Sequence, residues 1–243
     1  MTISASSICN ILHAHGMSWK ALERRAVQIR HKDIQRFSNE LKSFNWDLEQ
    51  LLFLDEVAFA NQTMLRNRGY GYVGESLRYR GEFRRKPRVS RLCFLGQSGI
   101  VESFETEGTF NRQMFFDCCV KMALHSGQVE WYPGRHSIWI MDGARIHCDK
   151  NIVNYLRSLG IVPIFLPAYC PFYNPIEVVF GLVKRYLKRH YMENDSTPLS
   201  ITVGGALTNF MHYNCTRIFR KCGYFPGGSF NSTVGIPVNS FPI

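Results

Sequence analysis

Residues 137–177 read SIWIMDGARIHCDKNIVNYLRSLGIVPIFLPAYCPFYNPIE. SIWIM and IVPIF are short apolar runs, so each is expected as a buried strand. KNIVNYLRSLG between them has helical spacing and closes on a glycine. Asn174-Pro175-Ile176-Glu177 then has the form of a capping box, with Asn at the N-cap, Pro at N1 and Glu at N3 of a following helix. Strand, helix, strand, helix is a unit that builds a sheet with helices on its faces.

The upstream sequence extends this sheet. LLFLDEVAFA (51–60) is short and mostly apolar, as expected of a buried strand. Glycines 69, 71 and 74 suggest turns between strands. RVSRLCFLG (88–96) reads as a strand, and Ser98-Gly99 as a turn into IVESFETEG (100–108). NRQMFFDCCVKMALHSG (111–127) reads as a helix opened by Asn111 and closed by Gly127. Three strands of antiparallel character followed by alternating helix and strand make a mixed α/β fold.

The ends read differently. Ser4 or Ser6 could cap a short helix, SSICNILHAHG, that Gly16 would end. SWKALERRAVQIRHKDIQRFSNELKSF (18–44) continues in helical spacing without Pro or Gly. A last helical stretch near 200–222 ends at Gly223. The remaining GYFPGGSFNSTVGIPVNSFPI is rich in Gly, Pro, Ser and Asn and is expected as a loosely packed tail. The expected organisation is a helical segment at 1–45, an α/β domain at 46–222 and a flexible tail at 223–243.

The 243 residues are 45% hydrophobic and 14% aromatic, enough for a sizeable core, which excludes wholesale disorder. Lys and Arg number 29 against 19 acids, a net charge of +10 that points to a polyanionic partner. No window approaches a membrane span, and the first twenty residues show no secretory signal. The eight cysteines are scattered without a CxxC pair, so reduced thiols are expected in place of a structural zinc.

Three acids stand out. Asp55 lies within the first strand, Asp142 directly follows SIWIM, and Glu177 opens a helix. A carboxylate on a buried strand is costly unless a cation satisfies it, and neighbouring carboxylates repel. Hard oxygen ligands without His or Cys partners suit Mg²⁺ or Mn²⁺. Each acid also has a structural reading. Asp142-Gly143 is a common turn pair, and Glu177 completes a helix cap. Glu56 is directed to the opposite face from Asp55 by strand alternation, so only one of the two can share a site with Asp142.

Together, LFLDEVAF, IWIMDGARIH and FLPAYCPFYNPIEVVFGLVKRYLKR resemble the three catalytic blocks of mariner-type transposases, the DDE superfamily endonucleases. The 34 residues between Asp142 and Glu177 match the spacing typical of that family. The resemblance runs from about Leu51 to His190, and its most distinctive part is the NPIE block with Pro167, Tyr169 and Pro171 before it. It departs at Gly143, where many relatives have Asn, and at Cys170, where Ser is usual.

The resemblance implies a ribonuclease H-like fold and a catalytic triad of Asp55, Asp142 and Glu177. Those three acids would ligate two Mg²⁺ or Mn²⁺ ions, with Asp55 between them, for DNA strand cleavage and strand transfer. His147 matches a histidine often found after the second acid, with either a packed, loop-capping role or a DNA-facing one. ISASSICNILHAHGMSWKALERRA resembles the end of the second helix-turn-helix that precedes such catalytic domains, which suggests a truncated element. The implied partner is double-stranded DNA, both transposon ends and target; a homodimer is left open, and no membrane is involved. The expected location is the nucleus in a eukaryote, otherwise the cytoplasm, without secretion.

Basic residues fit the same picture. Arg84, Arg85, Lys86 and Arg88 lie in a segment, extending from Arg78 to Arg91, whose only acid is Glu82. Lys184, Arg185, Lys188 and Arg189 fall on one face of the helix carrying Glu177. Phosphate contacts from both clusters would give salt-dependent, sequence-independent affinity. The alternative is a non-catalytic or host-recruited DNA-binding protein that keeps the fold. A ribonuclease H-like repair or RNA nuclease would share the metal chemistry but would not explain the NPIE block.

Overall fold

A computed structural model of the chain describes residues 4–19, 25–65, 70–78, 86–192 and 196–234. Its centre is a five-stranded sheet of β1 (Leu51–Phe59), β2 (Val89–Gly96), β3 (Gly99–Glu107), β4 (Ile138–Met141) and β5 (Val162–Phe165). The order is β3-β2-β1-β4-β5. The pairs β1–β2 and β2–β3 are antiparallel, while β1–β4 and β4–β5 are parallel. Each strand run read from the sequence forms where expected. The parallel half follows from the intervening helices, because parallel neighbours need a long crossover.

Both faces of the sheet are covered, which is why its central strands are almost continuously apolar. On β1, Leu51, Phe53, Val57 and Phe59 enter one core, and Leu52 and Leu54 enter the other. The first core is closed by α2 (His31–Lys42), α6 (Pro175–His190), α7 (Leu199–Thr208) and α8 (Thr216–Lys221). The second is closed by α4 (Arg112–His125) and α5 (Lys150–Ser158). Asn111 caps α4 as expected, its side chain accepting from the Met114 N–H at 2.9 Å. Strand alternation therefore sends Asp55 toward α6 and Glu56 toward α4.

At the N-terminus α1 (Ala5–Ala14) is capped by Ser4, whose side chain accepts from the Ser7 N–H, and it buries none of its residues. The long helix expected over 18–44 is shorter. Its last part is α2, while residues 25–30 are not helical and Val27 is almost fully exposed. Helices of this length are held mainly by a buried face. Only from Ile34 onward, through Phe37 and Leu41, does the segment have one.

Three further stretches differ from expectation. After β1 comes a one-turn helix, α3 (Asn61–Met64), and residues 70–78 form no strand, only a turn at 73–74. The helix expected near 200–222 is broken into α7 and α8. Between them the chain dips to the β2–β3 turn, where Ile100 N–H donates to Phe210 O at 2.9 Å and Cys215 N–H to Gln97 O at 2.8 Å. Gly99, at φ +118°, is required there because a Cβ would collide with the Phe210 carbonyl.

The start of the expected loose tail is instead a packed hairpin of β6 (Tyr224–Phe225) and β7 (Ser229–Phe230), turned by Gly227 and Gly228 at positive φ. Tyr224 is fully buried, and its hydroxyl donates to Tyr173 O at 2.9 Å. Phe230 packs edge-on against Phe37 and Tyr173. Two aromatics with a buried place to go outweigh the glycine-rich composition around them. No helix among the described residues is long and apolar enough to cross a membrane.

Candidate active site

Asp55 sits in mid-β1, directed toward the start of α6. Its Oδ1 accepts from the Glu56 N–H at 2.7 Å and its Oδ2 from the Asn174 side-chain amide at 2.9 Å. Asn174 is the N-cap residue of α6, yet it makes no side-chain cap. The capping box read from the sequence is thus not formed: Asn174 turns its amide across to β1. Its position is fixed from behind by the 3-10 turn Pro171–Tyr173, whose Tyr173 is held by the β6–β7 hairpin and by a bond to Ser232 O at 2.5 Å.

Glu177 is exposed in the first turn of α6, where the helix dipole favours an anion. With no cap to complete, its carboxylate is available. Asp142 is the first residue after β4, the strand beside β1. Its Oδ1 accepts twice, from His147 Nδ1 at 2.5 Å and from the Ala144 N–H at 3.1 Å. His147 is buried with its ring against Phe115, 4.3 Å between centroids. Its Nε2 lies 3.6 Å from Glu56 Oε1. Glu56 does face away from Asp55, as strand alternation requires, but it reaches Asp142 through His147. Both acids of β1 are thereby connected to the same region from opposite faces.

The charges of Asp142 and Glu177 are felt at Asp55, and that of Asp142 at Glu177. Burial, with the negative charges of Asp142 and Glu177 adding and the Glu56 N–H bond and His147 opposing, pushes the Asp55 carboxyl up to about 7. Burial also raises Glu177, with Asp142 adding and Lys184 opposing. Asp142 behaves oppositely. Burial alone would raise it, but the bonds from His147 and Ala144 outweigh burial and hold it below the usual range. For His147, burial alone would lower the pKa, yet the bond to Asp142 and the Glu56 carboxylate 3.6 Å from Nε2 lift it to about 9.

Among the described residues, no three His, Cys, Asp or Glu side chains are grouped closely enough to hold a metal ion as they stand. The donor chemistry nevertheless fits a hard divalent cation. All three groups are carboxylates, and two of them have pKa values raised by burial and by like charge, a conflict that such a cation relieves.

The basic residues divide. Lys184, Arg185, Lys188 and Arg189 are all exposed on α6, opposite the buried stripe Val179, Phe180, Val183 and Leu187. Arg84 and Arg85 lie outside the described residues. Arg88 is exposed. Lys86 is half-buried and donates to Thr197 O at 3.1 Å, with its ammonium over the Tyr191 ring. Arg91 pairs with Glu105 and donates to Ser200 O at 3.1 Å, fastening α7 to the sheet. The sequence reading missed Asn174 and Glu56 as site residues. For Asn174 the only available sign was a cap motif, which conceals a side chain turned elsewhere.

A mixed sheet covered by helices on both faces, with acids in its central strand, directly after the adjoining parallel strand and at the start of α6, defines the ribonuclease H-like class. The model of the DDE superfamily endonuclease family matches residues 50–197, and the chain belongs to that family. Its fold is that of the Mos1 mariner transposase. A Mos1 paired-end complex with the left transposon end superposes with a TM-score of 0.63 at 17% identity, covering 90% of this chain and 68% of that one. A Mos1 mariner paired-end complex with Mn gives 0.65 at 17% identity and the same coverage. The catalytic domain of Mos1 alone gives 0.53 at 15% identity, covering 83% of this chain and 90% of that one. No curated protein matches the chain by sequence.

Proposed function

We propose that the chain is a metal-dependent DNA transposase or endonuclease that cleaves and joins DNA strands through Asp55, Asp142 and Glu177. The observation that carries this reading is the placement of three carboxylates on β1, directly after the neighbouring β4 and in the first turn of α6, all inside the region matched by the family, with the charges of Asp142 and Glu177 both raising Asp55. Asp55 would be the shared ligand, with Asp142 and Glu177 each holding one ion. Two Mg²⁺ or Mn²⁺ ions, when bound, activate a water or 3′-hydroxyl and stabilise the leaving oxygen.

The chain's own residues supply positioning. Asn174 fixes the orientation of Asp55, and His147 fixes that of Asp142. The first turn of α6 presents Glu177 with its dipole toward the site. Lys184 and the exposed cations beyond it on α6 continue outward from Glu177 and would track a phosphate backbone. The proposed substrate is double-stranded DNA, with transposon ends and target as its two forms, a reading supported by the likeness to a Mos1 complex with the left transposon end.

Nicking of supercoiled plasmid in Mg²⁺ tests the reading. Wild type is expected to nick, and Asp142→Asn to be inactive while still binding duplex. Duplex binding without nicking by either protein would favour the alternative, a DNA-binding protein that has kept the fold.

A further inference from the structure

Asp142 has two oxygens in contrasting situations. Oδ1 carries both hydrogen bonds, from His147 Nδ1 and from the Ala144 N–H, and among the described residues Oδ2 has no hydrogen-bond partner. The Asp142 side chain is 49% exposed, while that of His147 is only 3% exposed. A half-exposed Asp on the loop after a strand would ordinarily sample several rotamers. Here a buried ring grips one oxygen and leaves the other facing solvent.

The ring itself is fixed. Phe115 of α4 lies against it, and the His147 N–H donates to Ala144 O at 3.0 Å, so the loop is closed on itself. Behind it, His147 Nε2 and Glu56 Oε1 are both buried, neither has a hydrogen-bond partner, and they lie 3.6 Å apart. A buried carboxylate and a buried imidazole nitrogen left facing each other are an expensive arrangement unless each serves the other. The line Glu56, His147, Asp142 runs from one face of the sheet to the strand end on the other.

We infer that His147, backed by Glu56, is a positioning residue that clamps Asp142 through Oδ1 and so reserves Oδ2 for a divalent cation. This rests on the proposed metal role of Asp142. The clamp raises affinity by removing rotamers that would have to be lost on binding, the usual action of a carboxylate–histidine relay behind a ligand. The competing reading is that His147 merely packs the 142–149 loop.

Two isosteric substitutions separate these readings. The amide nitrogen of an asparagine overlies Nδ1 of a histidine, and that of a glutamine overlies Nε2. His147→Asn therefore keeps the bond to Asp142 and loses Glu56, while His147→Gln does the reverse. Mn²⁺ affinity of the full chain is measured by titration calorimetry, with Asp142→Asn as reference and thermal melts to verify folding.

The expected result is a loss of about 10–100-fold in His147→Gln, against only a several-fold loss in His147→Asn, which lacks the Glu56 contact but keeps the bond to Asp142. Equal affinity in wild type and both variants overturns the clamp, and so does an equal loss in the two. Should His147→Gln fail to fold, Glu56→Gln decides, because it leaves His147 and Asp142 in place. A several-fold loss of affinity there supports the clamp, and no change overturns it. If wild type binds Mn²⁺ no better than Asp142→Asn, the metal reading itself has failed, and the clamp with it.

Discussion

Asn174 Nδ2 donates to Asp55 Oδ2 at 2.9 Å, joining the cap of α6 to the middle of β1 across 119 positions of sequence. This bond sets the distance between the strand that carries one acid and the helix that carries another. It also leaves the cap of α6 unmade and Asn174 Oδ1 buried without a partner. The local helix gives up a cap worth about 1 kcal/mol, and the site gains an oriented carboxylate.

Asn174→Ala removes the donor and leaves the half-buried Asp55 oxygen unsatisfied. The expected loss is about 1–3 kcal/mol, or a few degrees of melting temperature. Asn174→Ser, which restores a capping hydroxyl but does not reach Asp55, is expected to recover stability without recovering Mg²⁺-dependent nicking. Thermal melts and the plasmid assay together check this.

Asp55 is held at a cost that depends on pH. Its folded-state pKa, about 7, lies above the ordinary 3.8, so the folded chain takes up the proton more readily than the unfolded one. The stability that this group permits is fully present below about pH 4 and is lost as pH rises toward 7. Asp55→Asn is therefore expected to melt higher than wild type at pH 8, by an order of 1–3 kcal/mol, with the difference vanishing near pH 4. Melting curves across that range, in chelator, check the sign. The same substitution should abolish nicking.

The hairpin after α8 is expected to matter for the site and for stability. Phe230→Ala should cost about 3–5 kcal/mol, as for other buried aromatics, where a loosely packed tail would cost nothing. Tyr224→Phe, which frees only the Tyr173 carbonyl, should cost about 1 kcal/mol. Denaturant unfolding measures both.

Duplex affinity should fall steeply with salt. Neutralising Lys184, Arg185, Lys188 and Arg189 together should flatten the plot of log K against log salt by about 0.9 for each DNA phosphate that is no longer paired with a cation. Fluorescence anisotropy with a short duplex gives the slope. An unchanged slope would show that this face of α6 is merely solvated.

Much of the fold was legible because the sheet is covered on both faces: Leu51–Leu54 and Ile138–Met141 are unbroken apolar runs that no other environment explains. The places of Asp55 within β1, Asp142 directly after β4 and Glu177 at the start of α6 were equally plain. What local pattern concealed was the use of side chains across the fold. Asn174 carries a cap motif, and nothing in its neighbourhood reveals that Asp55 competes for its amide. Glu56 was set aside by strand alternation, a rule that holds within the sheet and lapses at Asp142, where the chain has left the strand and both faces can reach it. Tyr224 and Phe230 were hidden by the glycines and prolines around them, since composition averages over the two residues that find a buried place.

Whether the three acids hold metal together is decided by anomalous diffraction at the manganese edge, from crystals of the chain grown with Mn²⁺ and a short duplex. Density for Mn²⁺ is expected within ligand distance, about 2.0–2.3 Å, of carboxylate oxygens from Asp55, Asp142 and Glu177, with two peaks about 3.5–4 Å apart. Peaks elsewhere, or none in saturating Mn²⁺, would refute the assignment of these acids as a shared metal site.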